Sequence, residues 1–209
     1  MKKILLSILA TLFGLFIMLA FLPKFLIIDN FLMKNKVFIL PEAISEGLLT
    51  INLKKSDVYY QDKQLIKKAD INLYVLPLSQ GLTLICNAKK SEIIHKTFGG
   101  FVFNFDNFKC SPDFENVSGK FEIKDGINGK LKLENFNVQG RNVEFLEFTF
   151  KGKTFEFRGS SQGINVSGNG IVSFDEKNPL NSKINGTASA VGFNFVISGT
   201  ITNPQFNMQ

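Results

Sequence analysis

The sequence predicts a mainly β protein: a single N-terminal transmembrane helix, then an elongated, twisted antiparallel sheet that runs as a meander and ends as an open barrel or a groove. Three observations lead there. An uncharged apolar run, Ile4 to Leu22, opens the chain. Beyond Gly47 the dominant hydrophobic period is two, the period of a strand with unlike faces. The aromatic content is lopsided, with 23 Phe against 3 Tyr and no Trp, and much of the Phe sits at alternating positions.

The first element is the span. At 1.5 Å per residue the run from Ile4 to Leu22 is about 28 Å long, enough to cross a hydrocarbon core of about 30 Å. A cleaved signal peptide has a shorter apolar region and a small-residue cleavage site. This run closes on Leu19-Ala20-Phe21-Leu22-Pro23-Lys24, which has no such pattern. An uncleaved signal anchor is expected over residues 4–24, behind a short cytoplasmic N-terminus, residues 1–3. Lys2 and Lys3 precede the span, while Lys24, Lys34 and Lys36 follow it, so charge does not orient it. A β-rich body without cofactor motifs suits the outside. The expected domains are therefore a juxtamembrane segment at 25–45 and a periplasmic β-rich domain at 46–209.

The strands follow in order. Residues 25–40 either prolong the helix along the membrane face or lead into the fold, and Pro41 interrupts them. Leu48 to Leu53, Ser56 to Tyr60, Ile71 to Val75 and Gly81 to Cys86 read as strands. Ser91 to Lys96 reads as a short turn. Phe101 to Phe105, Lys130 to Leu133, Phe145 to Phe150 and Thr154 to Phe157 come next, the last two joined by a hairpin turn at Lys151-Gly152. Ile164 to Ser167, Ile171 to Phe174 and Phe193 to Ile197 complete the series. A unit of Gly followed by alternating residues recurs at Ser118-Gly119, Asn128-Gly129, Ser167-Gly168 and Ser198-Gly199. It is read as glycine opening a strand at a turn or bulge.

Composition excludes much chemistry. One His cannot build a two-His acid/base pair or a His-rich metal site, and two Cys cannot build a four-Cys zinc site. No catalytic residue, cofactor-binding residue or metal ligand is assigned, and no cofactor is expected. His95 has no nucleophile or P-loop string beside it and reads as a solvated or capping side chain. Asp57, Asp62, Asp70, Asp106 and Asp113 read as turn carboxylates on solvated faces. The net charge of +6 comes with only two Arg, Arg141 and Arg158, and scattered Lys, so no nucleic-acid partner is expected. Lys54-Lys55, Lys67-Lys68 and Lys89-Lys90 read as solubilising or edge-guarding pairs near turns. Cys86 and Cys110 have two readings: a disulfide in an oxidising compartment, or two buried thiols.

The Phe residues form the candidate apolar inner face: Phe101, Phe103, Phe105, Phe148, Phe150, Phe155, Phe157, Phe193 and Phe195. This face is either a sealed core or the lining of an open groove for acyl chains or an extended partner.

The layout then resembles a known family. A short basic N-terminus and a single span precede Ser45-Glu46-Gly47-Leu48-Leu49-Thr50-Ile51-Asn52-Leu53, and a further strand lies at Val58-Tyr59-Tyr60. Glycine-rich β units follow, and the chain closes on Ile197-Ser198-Gly199-Thr200-Ile201-Thr202-Asn203-Pro204-Gln205-Phe206. This resembles the type II secretion system protein N (general secretion pathway protein N) family and, more distantly, the AsmA-like envelope proteins. The resemblance covers nearly the whole chain in layout through short motifs. It implies a single-pass protein of the bacterial inner membrane, with the bulk of the chain in the periplasm. Its role would be a non-enzymatic, structural or interaction subunit in protein export, with partners among other type II secretion components such as the secretin or inner-membrane platform subunits. The AsmA-like relation implies instead a groove that binds or transfers lipid between membranes.

Overall fold

The computed structural model describes residues 11, 14, 23–76, 79–96, 99–138, 141–175, 181–200 and 203–208. Apart from Thr11 and Gly14, the expected span at 4–22 lies outside these residues. Among the described residues no helix is long and apolar enough to cross a membrane.

The chain after Pro23 forms one helix, α1 (Lys24–Lys34), and then only strands. These are β1 (Val37–Leu40), β2 (Ala43–Glu46), β3 (Thr50–Tyr60), β4 (Lys63–Leu76) and β5 (Ser79–Cys86). The series continues with β6 (Lys89–Lys96), β7 (Phe101–Phe108), β8 (Phe114–Ile123), β9 (Ile127–Val138) and β10 (Arg141–Gly152). It ends with β11 (Thr154–Ser161), β12 (Ile164–Ser173), β13 (Lys183–Ala190), β14 (Phe193–Thr200) and β15 (Asn203–Met208). All belong to one antiparallel sheet. From β3 to β15 the spatial order is the sequence order, while β1 and β2 lie end to end along the free side of β3. The sheet thus begins at Val37, inside the segment read from sequence as juxtamembrane. Ser91 to Lys96 is strand rather than turn, because Ser91, Ile93 and His95 continue the alternation of β5 through their pairing with Leu84, Leu82 and Gln80.

Two expected strands, Leu48 to Leu53 and Ser56 to Tyr60, are one. The step between them is a bulge: Lys55 takes a left-handed φ of 45°, and the pairing shifts between Leu53 and Ser56. One extra residue lets Leu53 and Ser56, three apart, face the same way. Both are fully buried. The device recurs at Lys68 in β4 (φ 51°) and Asn107 in β7 (φ 48°); Asn135 in β9 is also left-handed (φ 48°), but its pairings keep register. Asp70 and Asp57 serve the first two bulges. The Lys55 N–H donates to Asp70 Oδ1 and the Lys68 N–H to Asp57 Oδ1, both at 2.9 Å. These aspartates are therefore strand residues that satisfy bulge amides, which corrects their reading as turn carboxylates. The Lys55 amide and the Lys54 ammonium hold the Asp70 carboxyl below its usual value.

Two apolar clusters sit on one face of the sheet. The first joins Ile39, Ile51, Leu53, Ile71, Leu84, Cys86, Phe108 and Val117, and α1 packs Phe25, Ile28 and Leu32 against it. The second joins Ile127, Phe155, Phe157, Val172, Ala188 and Ile197. Cys86 and Cys110 are disulfide-bonded with Cα atoms 5.9 Å apart. The segment after β7 is stitched past the β5–β6 turn to β4: the Lys67 N–H donates to the Cys110 carbonyl at 2.7 Å, and Lys63 Nζ lies 2.6 Å from Asp113. This end of the apolar face is closed. The start of α1 is pinned as well. Pro23 provides no side-chain cap, and the Glu46 carboxylate of β2 instead accepts the Lys24 and Phe25 N–H groups at 2.9 and 3.0 Å. The Phe25 and Lys24 amides hold Glu46 below its usual value.

Two outcomes are expected. Replacing both Cys86 and Cys110 by Ala should remove about 3 kcal/mol of stability. A lowered urea midpoint that no longer responds to reductant would show it. Because the folded pKa of Glu46 is depressed, its stabilisation is complete above the ordinary glutamate range and is lost as pH falls through the lowered value. Amide exchange at Lys24 and Phe25, corrected for the intrinsic rate, should accelerate below about pH 4. Glu46→Gln should abolish that pH dependence.

Candidate functional site

Register turns the period-two pattern into a surface. A single cross-strand row links Ile51, Leu73, Leu82, Ile93, Phe103, Phe121, Gly129, Phe150, Phe155, Gly170, Gly186 and Ile197, from β3 to β14, without a polar side chain. At about 4.8 Å per strand this row is about 50 Å long. A second row beside it runs Phe105, Gly119, Leu131, Phe148, Phe157, Gly168, Ala188 and Phe195. A third runs Phe108, Val117, Leu133, Leu146, Gly159, Val166, Ala190 and Phe193. One residue out of step, the opposite face reads Asn52, Asn72, Thr83, Glu92, Asn104, Lys120, Lys130, Thr149, Glu156, Asn169 and Thr187. Among the described residues all strands belong to one sheet, and no second sheet covers its apolar face. The chain exposes 13916 Å², where a compact monomer of 23.4 kDa exposes about 9,700 Å².

All nine sequence-predicted Phe residues lie on this apolar face. Phe155 and Phe157 are buried, Phe103, Phe105, Phe148, Phe150 and Phe195 are half-buried, and Phe101 and Phe193 are exposed at 45% and 57%. The rings of seven of them, all but Phe193 and Phe195, are linked through Phe121 into a continuous carpet. Phe103 stacks on Phe121 at 4.6 Å, Phe121 reaches Phe150 at 6.4 Å, and Phe150 stacks on Phe148 at 5.8 Å, which in turn meets Phe157 at 5.9 Å. His95 is on a strand, neither capping nor fully solvated, and its ring lies 4.8 Å from that of Phe101 at the margin of the carpet.

Sequence reasoning missed Phe121, Phe108 and the glycines. Phe108 falls out of step with Phe105 because of the Asn107 bulge. The recurrent glycines are not strand starts. Gly168 and Gly170 lie mid-strand under aromatic rings, where an added Cβ would stand 2.5 Å from Phe157 Cε1 and 2.6 Å from Phe155 Cζ. Gly119 and Gly129, at φ 135° and 132°, bring β8 and β9 so close that a Cβ at either would strike a facing carbonyl oxygen. The glycine units that recur in the sequence were the available signal.

The charges stay off this face. On the opposite side Arg158 Nε and Nη2 donate to Glu147 Oε2 at 2.9 and 2.7 Å, and the Arg158 guanidinium holds Glu147 below its usual value. Two of the three lysine pairs form exposed ion pairs, Lys54 with Asp70, Lys55 with Glu42, Lys89 with Asp106 and Lys90 with Glu92. Among the described residues no group of three or more His, Cys, Asp or Glu side chains could hold a metal ion. The arrangement offers a long hydrocarbon-like surface with a polar back.

Truncation should separate core from free surface on this face. Phe155→Ala is expected to cost about 3 kcal/mol, and Phe193→Ala less than about 0.5 kcal/mol. Denaturant midpoints of the two variants check this.

No family model matches the chain, and no solved structure matches it. An uncharacterized protein of Aquifex aeolicus (strain VF5) is 32% identical over 197 residues, which cover 94% of this chain and 90% of that relative. Likeness of that degree over 94% of the chain makes it a member of the same family as the Aquifex aeolicus protein.

Proposed function

We propose that the protein is a membrane-anchored lipid-binding module of the bacterial envelope, held in the inner membrane by residues 4–22 with its sheet in the periplasm. The observation that carries this reading is the set of parallel apolar rows on one sheet, over which, among the described residues, only α1 packs, at the β3 end. Acyl chains are flexible hydrocarbon rods, and a face with Phe, Leu and Ile rows but almost no polar atoms binds them without asking for directional partners. The rows run across the strands, so a chain lying along them touches successive strands and needs no enclosed pocket. The disulfide-linked end fits a stop, and the phenylalanines exposed further along fit the part where tails enter. A paired cysteine agrees with an oxidising compartment.

A second reading has separate support. Among the described residues strand β15 pairs with β14 alone, which leaves its other side as a sheet edge. An extended segment of a partner can add there by backbone hydrogen bonds. On this reading the protein is an accessory, non-enzymatic single-pass component of the type II secretion system, and the edge receives a secretin or platform subunit.

A photo-crosslinking residue placed in the full chain at Phe103 or Phe150 should capture lipid, identified by mass spectrometry, while one at Lys130 or Thr149 on the opposite face should not. Lipid captured equally from both faces, or from neither, would sink the lipid reading. A crosslinker at Gln205 that captures a secretion component would favour the second.

A further inference from the structure

Helix α1 turns Phe25, Ile28 and Leu32 toward the sheet. Its outward side is largely apolar: Leu26 and Phe31 are 67% exposed, and Ile27 and Met33 are exposed beside them, with exposed Asn30 among them and half-buried Asp29 on the same helix. Large apolar side chains turned outward on a helix that also carries polar ones suit an interface. The exposure is concentrated there. Of the sixteen exposed large hydrophobic residues among those described, nine fall between Leu26 and Leu49, including Leu48 and Leu49 in the loop before β3. At the end of α1, Lys34 and Lys36 are exposed and form no ion pair among the described residues, as is also true of sheet lysines such as Lys67, Lys68 and Lys120. The uncharged run Ile4 to Leu22 stops one residue before Pro23, and α1 starts one residue after it.

We infer that the outward side of α1, with the Leu48-Leu49 loop, is an interfacial surface that lies in the headgroup region of the bilayer holding the preceding span. An interfacial helix buries its apolar side at the acyl boundary and sets its lysines against anionic headgroups. Leu26, Ile27, Phe31 and Met33 provide the first, and Lys34 and Lys36 the second. The grip of Glu46 on the first amides of α1 makes the placement rigid, so the β1–β2 border of the sheet rests on the membrane. The inference rests on the anchored reading for the position of the bilayer, and it does not depend on whether the apolar rows carry lipid.

The test uses the full chain in vesicles of phosphatidylethanolamine and phosphatidylglycerol. Nitroxides are attached to single introduced cysteines in the variants Ile27→Cys, Phe31→Cys, Leu65→Cys and Gly14→Cys. The native cysteines are paired and do not react. Power saturation compares access to oxygen, which concentrates in lipid, with access to a water-soluble nickel chelate. Labels at 27 and 31 are expected to favour oxygen, and the label at 65, an exposed apolar site on β4, to favour nickel. A water-like ratio at 27 and 31 overturns the inference. Protection from both reagents with dipolar broadening that grows with protein density also overturns it, because a second copy would then cover the helix. The label at 14 reports separately on the span: a lipid-like ratio there beside water-like ratios at 27 and 31 rejects this inference and leaves the anchor standing.

Discussion

A pleated strand sends successive side chains to opposite faces, so one residue gained or lost in a ladder inverts every side chain beyond it. This parity is the constraint on which the whole molecule depends. Among the described residues only α1, over the first cluster, packs on the sheet from above, so along most of its length the alternation of apolar and polar rows tells the sheet which face is which. At the left-handed residues Lys55, Lys68 and Asn107 the pairing register shifts and parity advances by one. Neighbouring side chains meet polar groups there and at the left-handed Asn135, where the register is kept. Asp70 and Asp57 accept bulge amides, Asn116 donates to Asn107 Oδ1, and Asn135 donates to Glu115. Polar residues scattered through β3, β4, β7, β8 and β9 thus keep the apolar rows aligned.

Size complementarity follows from the same rows. A face tiled only by phenylalanine would crowd, and one tiled only by glycine would have nothing to bury. The sheet sets large residues of β10 and β11 beside small ones of β12 and β13, so Phe148 and Phe157 are followed along their row by Gly168 and Ala188. The rings lean over the glycines of the next strand, which exclude water there without a side chain of their own. Burial of Phe155 and Phe157 in a single-layer sheet becomes intelligible on this basis.

Much of this was legible in the sequence. Alternation in Phe101 to Phe105 and Phe148 to Phe157 announced both strand and face, because a strand with unlike sides has no other pattern. What stayed hidden has common causes. Bulges break the period, so Phe108 and the join at Lys55 were misread. A Lys or Asn in left-handed conformation looks like a turn residue when no partner strand is known. Ser91 to Lys96 mixes charge with β-branched residues, and only pairing with β5 decides its state. The role of Glu46 is a contact across more than twenty residues, which no local pattern encodes. The glycine units were visible but ambiguous: glycine marks a turn when viewed along the chain and a close approach when viewed across it.

The strict meander has one more consequence. From β3 onward each strand touches the strands before and after it in sequence, so the sheet can grow by adding one strand at a time. Such a chain behaves like a linear array, with stability held between nearest neighbours and folding able to advance from the N-terminal end as residues emerge. It also makes length a free variable. Inserting or deleting one hairpin within the run would lengthen or shorten every row by about 10 Å, leaving the closed end and the helix untouched.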